Sequence, residues 1–395
     1  MRGRALIIAV TLLAVLATSG TALAARPGYR IEAKDFPADW REARAQLEHA
    51  LVRAPARSET RADILFVLRL GRHYMGSRHP EGRRRTISRT MRVNAWWFSR
   101  WSAPSSRIIV RDPTGVLSTY WKGRGLAVNP VATSGRWQGL NDDLTLVQLA
   151  DALLPFAVER TSGHQTFLLW EYYDVPSRPG ATRPGASGMA QGRLVHLLAN
   201  AYYNTGDARF SIAARGALAA FGVSVARGGV VSRVWVAGEH SSRPWYVERA
   251  YPGASPWQGA ALNGFMVTLL NLRASARLLR SAPKPLATGP AGTRTRPRAG
   301  GAEAAGEISR KLAVRGEATL RHYLPLHDTG RWSLYSLFRP GWGWRTYLAD
   351  NAYHCYHIAL LRQLAKDAPS GGHTYSGYAA RWTRYARRAG LTCRG

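Results

Sequence analysis

The residues best suited to proton transfer form a short run near the C-terminus. Tyr353, His354, Cys355, Tyr356 and His357 place two phenols and two imidazoles in five positions, at the start of a leucine-spaced helix. Residues four apart share a helix face, so Tyr353 and His357 point together while His354 points elsewhere. An apolar helix seldom needs this much titratable chemistry for packing, so the run indicates a site that moves protons.

Two upstream segments add a carboxylate and a further phenol. They are Trp245-Tyr246-Val247-Glu248 and Trp332-Ser333-Leu334-Tyr335. Together with the C-terminal run, they suggest a site where a carboxylate and several tyrosines meet a sugar. On their own, Glu248 beside Arg249 could equally be a surface ion pair, and Tyr335 a half-buried core residue.

The first 25 residues have the pattern of an export signal. Arg2 and Arg4 precede an apolar run from residue 5 to residue 17, and small residues follow at 22–25. The alternative is an uncleaved membrane anchor, but the run is shorter than the ~20 residues that span a bilayer. We therefore expect cleavage near Ala24 or Ala25, a secreted or extracytoplasmic protein, and no membrane span after cleavage.

The formal charge of +31 comes almost wholly from arginine. Arginine binds carboxylates and sulfates through two parallel hydrogen bonds, and a large positive field attracts polyanions. An arginine-rich genome is the alternative source of this excess. Export and the absence of a recognisable nucleic-acid motif argue against nucleic acid as a partner.

The hydrophobic pattern predicts a mainly helical protein with short strands. We expect helices over residues 39–100, a β-hairpin over 108–120, a loop over 123–131, and a helix from Asp142 towards Glu159 that Asn141 caps and Pro155 shortens. A short strand is expected over 166–173. Further helices are predicted at 189–204, 208–221, 263–279, 303–323, 351–366 and 375–388.

Antiparallel helix pairs with short strands between them predict an incomplete α/α barrel, or α/α toroid, preceded by a mixed α/β region. We divide the chain into a signal peptide (1–25), an N-terminal helical region with a β-hairpin (26–165) and an α/α domain (166–395). Within this domain, residues 281–301 are rich in Pro, Gly, Thr, Ala and Arg and predict a flexible insertion. Cys355 and Cys393 could form one disulfide or remain free thiols, and no metal-site spacing is present.

Several motifs lie between Leu169 and Tyr385. They are SGMAQG (187–192), WYVE (245–248), YP (251–252), LNGFM (262–266), LPLHDTG (324–330), LYSL (334–337), YHCYHI (353–358) and RWTRY (381–385). In their order and spacing they resemble the C-terminal domain of D-glucuronyl C5-epimerases, enzymes that act on heparan sulfate and heparosan precursors.

The resemblance implies roles for particular residues. Glu248 and Tyr353 match the family's catalytic glutamate and tyrosine, with Tyr335 assisting them. Gln191 and Asn263 could bind sugar hydroxyls or satisfy buried backbone. The expected substrate-binding residues are Tyr120, Gln191, Tyr251, Asn263, Arg339, His354 and His357. No metal or other cofactor is required, and the animal enzymes' fold suggests a homodimer.

The chain also departs from the family. Arg249 and Ala250 stand between Glu248 and Tyr251, where the family has two glutamates directly before Tyr-Pro, and Ser336 replaces an aspartate. The N-terminal third does not resemble the family's β-rich region, so Tyr120 is proposed only by position and chemistry as the counterpart of a tyrosine from that region.

The expected reaction is epimerisation at C5 of D-glucuronate in an acidic, heparosan-like polysaccharide. It removes the proton α to the carboxylate and returns one to the opposite face. The same carbanion could instead expel the C4 substituent, which would make the protein a polysaccharide lyase. A glycan-binding relative without turnover is the third alternative.

Overall fold

The computed structural model describes residues 28–173, 184–234, 243–251, 260–283, 299–337 and 347–393. Within these ranges the protein is mainly helical, with eleven α-helices and four small sheets. The predicted signal peptide, Arg339 and most of the predicted insertion lie outside the described residues. None of the described helices has the length and apolar character needed to cross a membrane.

Three helices form the predicted N-terminal helical region. They are α1 (Trp40–Arg53), α2 (Glu59–Tyr74) and α3 (Glu81–Phe98). Asp39 caps α1, because its carboxylate accepts hydrogen bonds from the backbone N–H groups of Arg41 and Glu42 at 2.8 and 3.0 Å. The apolar faces of the three helices share one buried core.

A four-stranded sheet follows, in the order β1 (Gly28–Arg30), β2 (Ile109–Arg111), β3 (Leu117–Trp121) and β4 (Gly125–Val128). The predicted hairpin is confirmed, since β2 and β3 pair antiparallel.

The prediction of a loop over residues 123–131 was wrong. Gly123 and Gly125 adopt φ values of 75° and 72°, which glycine reaches without steric cost, and so turn the chain back against β3. Asn129 then caps a short helix, α4 (Pro130–Ser134).

The cap predicted for the next helix was also wrong. Helix α5 spans Leu146–Leu153, and its cap is Thr145, whose side chain and that of Gln148 each accept a hydrogen bond from the other's backbone N–H. Asn141 is buried instead and donates to the carbonyl of Thr133. The helix ends before Pro155, as expected, and a hairpin of β5 (Ala157–Ser162) and β6 (Gln165–Trp170) follows.

The remaining helices agree with the predicted ones to within a few residues at each end. Helix α6 packs against α7 and α8, α8 packs against α9 and α10, and α10 packs against α11. Their bounds are α6 (Gly188–Thr205), α7 (Ala208–Ala219), α8 (Leu262–Arg280), α9 (Ala299–Tyr323), α10 (Asn351–Asp367) and α11 (Gly372–Arg388).

Four short strands lie between these helices and form two antiparallel pairs. They are β7 (Val231–Val234) with β8 (Arg243–Tyr246), and β9 (Leu334–Ser336) with β10 (Tyr347–Leu348).

The main hydrophobic core crosses the boundary predicted at residues 165 and 166. Val116, Val128, Leu149 and Phe156 lie in the same buried cluster as the helices of the C-terminal region. The boundary itself falls at the turn of the β5–β6 hairpin, whose strands pair directly. The division by sequence pattern is therefore not a division of the packed interior.

Candidate active site

Glu248 follows β8 in a segment that is fixed on both sides. The N–H of Val247 donates to the carbonyl of Val230 at 3.0 Å, and its carbonyl accepts from Gly188 at 2.7 Å. Two residues further on, Ala250 exchanges a pair of 2.8 Å backbone hydrogen bonds with Ala186. These bonds set the direction in which the Glu248 side chain leaves the backbone.

Helix α8 approaches Glu248 closely at a glycine. A Cβ atom at Gly264 would lie 3.1 Å from both Cβ and Oε2 of Glu248. The neighbouring Phe265 stacks on Trp245 of β8, with ring centroids 4.1 Å apart. The absence of a side chain at residue 264 thus makes room for the carboxylate.

Tyr335 and Tyr353 reach the same place from two other elements. Tyr335 lies in β9, and its hydroxyl donates to Oε2 of Glu248 at 3.4 Å. Tyr353 lies in the first turn of α10, which Asp350 caps by accepting from the Tyr353 N–H at 2.8 Å. The two phenol rings meet edge to face, with their centroids 4.7 Å apart. The structure therefore brings together the three residues predicted to be catalytic.

Burial is the main influence on the titration of all three groups. It raises the pKa of Glu248, although the Arg249 guanidinium and the Tyr335 hydroxyl oppose this rise. Burial and the Glu248 carboxylate also raise the pKa of Tyr335. Burial raises the pKa of Tyr353, but the Tyr335 hydrogen bond and the charge of Arg107 lower it. A carboxylate with a raised pKa is a better acceptor for a weakly acidic proton.

Tyr353 remains open to solvent. Tyr353 is 40% exposed, whereas Glu248 and Tyr335 are half-buried. A ligand can therefore reach the phenol of Tyr353 from outside, with Tyr335 and Glu248 lying behind it.

Tyr120 does not join this group. Its hydroxyl donates to Oδ2 of Asp63 at 3.0 Å inside the N-terminal core. Successive side chains on a strand point to opposite faces, so the next residue, Trp121, points away from that core. The guanidinium carbons of Arg249 and Arg107 lie 5.6 and 4.2 Å from the Trp121 ring centroid.

Strand β3 therefore approaches Arg249, the residue after Glu248, through Trp121 and not through the predicted Tyr120. Neither Trp121 nor Arg107 was predicted from the sequence. The alternation of side chains along β3 is the signal that could have identified Trp121.

The two predicted amides have different surroundings. The Gln191 side chain donates to the carbonyls of Leu168 and Ala217 at 2.6 and 3.1 Å. It therefore satisfies buried backbone groups, which is one of the two roles expected from the sequence. Asn263 is buried beside Gly264, and among the described residues its Oδ1 has no hydrogen-bond partner. Of the two amides, Asn263 is therefore the one whose oxygen has no partner among the described residues.

The two predicted histidines are fully buried. Nδ1 of His354 and Nδ1 of His357 lie 2.8 and 3.0 Å from Oγ of Ser333. His354 also contacts the carbonyl of Trp382 at 3.1 Å and stacks on Trp332 at 3.7 Å. Burial lowers the pKa of both imidazoles, so both are neutral near pH 7. Through these contacts, the two imidazoles connect the residue before β9 to α10 and α11.

Tyr251 lies at the edge of the described structure near Glu248. It is half-buried and packs against Gly185, where a Cβ atom would come within 2.0 Å of the Tyr251 ring. Its predicted contact with substrate remains a prediction, as does that of Arg339.

A disulfide joins α10 to the C-terminal segment. Cys355 bonds to Cys393 across 38 positions, which settles the choice left open by the sequence in favour of the bridge. Among the residues that the structure describes, no group of three His, Cys, Asp or Glu side chains could hold a metal ion.

Comparison with known proteins identifies a matching family and a relative. A family described as "D-glucuronyl C5-epimerase C-terminus" matches residues 166–384. The D-glucuronyl C5-epimerase of Caenorhabditis elegans is 31% identical over 203 residues, which cover 51% of this chain and 28% of the worm protein. Glu248, Tyr335 and Tyr353 all lie within the residues that the family matches.

Proposed function

The chain belongs to the D-glucuronyl C5-epimerase family, and we propose that it epimerises D-glucuronate at C5 within an acidic, heparosan-like polysaccharide. The observation that supports this most directly is the position of Tyr335, whose hydroxyl donates to Glu248 and whose ring contacts that of Tyr353. A carboxylate and a solvent-accessible phenol are thus linked by a third group that can pass a proton between them.

In the proposed reaction, the Glu248 carboxylate accepts the C5 proton, and the substrate becomes a carbanion stabilised by its own carboxyl group. Tyr353 then donates its hydroxyl proton to the opposite face of C5. Glu248 is left protonated and Tyr353 ionised. Transfer from Glu248 to Tyr335, and from Tyr335 to Tyr353, restores the starting state. The raised pKa of Glu248 favours the first step, and the neighbouring Tyr335 hydroxyl lowers the pKa of Tyr353 and so favours the phenolate formed in the second.

Further parts of the proposal come from the sequence. We propose that the C-terminal helix pairs close into an α/α toroid and that the protein acts outside the cytoplasm. The basic charge of the chain suits an anionic polymer as substrate, and the family's fold suggests a homodimer.

Heavy-water exchange tests the activity directly. Heparosan incubated with the protein in deuterated water should gain deuterium at C5 of its uronate residues. Glu248→Gln and Tyr353→Phe should each reduce the rate by about 10²–10⁴-fold, the usual contribution of a general acid or base. Glu303→Gln, which alters an exposed carboxylate on α9, serves as the matched control and should exchange at the wild-type rate.

Two results would contradict the proposal. Polymer recovered without deuterium would leave a glycan-binding protein. An unsaturated uronate absorbance that grows with time would show that the carbanion expels its C4 substituent and that the protein is a lyase.

A further inference from the structure

We propose that Arg107, Trp121 and Arg249 together bind the carboxylate and ring of a sugar that adjoins the reacting uronate. Arg107 and Trp121 come from the N-terminal region, outside the residues that the family matches, whereas Arg249 directly follows Glu248. The identity of the polymer rests on the proposed function, but the binding of an acidic sugar at these residues does not.

The three side chains form one cluster. The Trp121 ring lies 4.2 Å from the guanidinium carbon of Arg107 and 5.6 Å from that of Arg249. Both distances are within the range at which a cation is attracted to an aromatic face. Both arginines are exposed and Trp121 is half-buried, so the cluster is open to solvent. We call it the Trp121 platform.

The platform adjoins the candidate active site. Arg249 is next to Glu248 in the chain and opposes the rise in the pKa of that carboxyl group. Arg107 opposes the rise in the pKa of the Tyr353 phenol. Through its Trp121 ring contact with Arg249, the platform therefore reaches the residue next to Glu248.

The chemistry of these residues fits an acidic sugar. A guanidinium held against an aromatic ring has less freedom to lose, and its fork can bind a carboxylate through two hydrogen bonds. An indole face offers a flat apolar surface to a sugar ring. In a polymer that carries repeated carboxylates, the platform would hold a residue beside the reacting one and so fix the position of C5 relative to Glu248 and Tyr353.

Equilibrium binding separates the platform from the chemistry. Arg107→Gln and Arg249→Gln are each made in a Glu248→Gln background. Titration calorimetry then measures their affinity for a heparosan hexasaccharide and for its carboxyl-reduced form. Each arginine substitution should weaken binding of the acidic hexasaccharide by roughly tenfold, since each removes a hydrogen bond to a charged group. Binding of the carboxyl-reduced form should change by less than about twofold, because no charged acceptor remains.

The matched control is Arg388→Gln, which removes the same charge from an exposed position at the end of α11. It should bind both oligosaccharides like its parent. If all three arginine variants bind the acidic hexasaccharide with equal affinity, the proposal that the Trp121 platform binds an acidic sugar is wrong.

The two proposals can fail separately. If the wild type exchanges no C5 deuterium but the Arg107 and Arg249 variants lose affinity, the activity is wrong and the platform stands. If the wild type exchanges deuterium and these variants bind like the Arg388 control, the platform is wrong and the activity stands.

Discussion

The hydroxyl of Tyr335 lies 3.4 Å from Oε2 of Glu248, and the ring of the same residue contacts that of Tyr353, with the two centroids 4.7 Å apart. A single phenol in a short strand therefore couples a carboxylate that follows one hairpin to a phenol at the start of a helix. Each of the three groups influences the pKa of another. Mutations at one of them should therefore change the pH dependence of the whole site.

Substitution of Tyr335 by Phe should move the acidic limb of the pH–rate profile upwards. The Tyr335 hydroxyl lowers the pKa of Glu248, so without it a higher pH is needed to ionise the carboxylate. The profile is measured as the rate of C5 deuterium incorporation between about pH 4 and 9, a range that brackets the reference pKa of Glu near 4.3. Tyr378→Phe, on α11, is the control. A limb that stays in place would show that Tyr335 does not act on Glu248.

Substitution of Glu248 by Gln should stabilise the protein at high pH. Burial raises the folded-state pKa of Glu248 above its unfolded value, so the folded state binds more protons in the intervening pH range. Wild-type stability therefore falls as pH rises through the folded pKa, and the neutral amide does not suffer this loss.

Denaturant titrations of wild type and Glu248→Gln at pH 8 and pH 4 measure the effect. The variant should have the larger free energy of unfolding at pH 8, and the difference should shrink at pH 4. A variant less stable than wild type at pH 8 would mean that the carboxylate is better solvated than the structure indicates.

Substitution of Gly264 by Ala should reduce activity more than stability. The new methyl would lie 3.1 Å from Cβ and Oε2 of Glu248 and displace the carboxylate. A shift of about 1 Å can cost about 10²-fold in rate. Ala is also favoured over Gly in a helix by about 0.8–1 kcal/mol, which offsets the crowding in the stability measurement.

Gly377→Ala in α11 is the matched control, because nothing lies within 4 Å of the added Cβ. It should gain helix stability with unchanged exchange. If both alanine variants keep full activity, the space at Gly264 is not needed to position Glu248.

Substitution of Glu171 by Gln should destabilise the protein by roughly 3–5 kcal/mol, the usual cost of breaking a buried ion pair on one side. The fully buried Glu171 carboxylate accepts hydrogen bonds from Arg83 of α3 at 2.8 and 2.9 Å, and from Arg160 and Tyr173. Glu81→Gln disrupts a solvent-exposed pair with Arg85 and should change the stability far less. Equal stability of the two variants in urea would contradict the role of Glu171.

Substitution of Cys393 by Ser should lower the free energy of unfolding by about 4 kcal/mol, the chain-entropy estimate for a 38-residue loop. Thermal unfolding with and without a reducing agent measures the change. Reductant should lower the melting temperature of the wild type towards that of the variant and leave the variant unaffected. A wild type indifferent to reductant would argue against the bridge in solution.

The sequence was sufficient to predict most helices, because long apolar faces and caps are local signals. Helices α6 to α11 agree with their predicted positions, and the hairpin around Gly115 is present as expected. The predictions failed where neighbours in space decide the structure. Residues 125–128 became a strand because β3 was available to pair with them, and Asn141 became a buried donor to Thr133 instead of a cap.

Among the candidate site residues, the resemblance identified the three that the structure brings together. It could not show which side chains around them would be buried. His354 and His357 contact Ser333, and Gln191 donates to backbone carbonyls. These side chains are buried because α10 and α6 each pack against at least two other helices. Trp121 and Arg107 were missed because they reach the site from a region that no motif covers.

The continuity of the interior across residue 165 constrains how this protein can be recombined with its relatives. A chimaera that joins the family-matched half to another N-terminal region would divide the β5–β6 hairpin and remove Val116, Leu149 and Phe156 from the core they share with α6 and its neighbours. The transplanted half would expose apolar core residues to solvent and would be prone to aggregate. Exchange of parts between these proteins therefore requires a junction upstream of β2, so that the hairpin and its apolar residues travel with the helices.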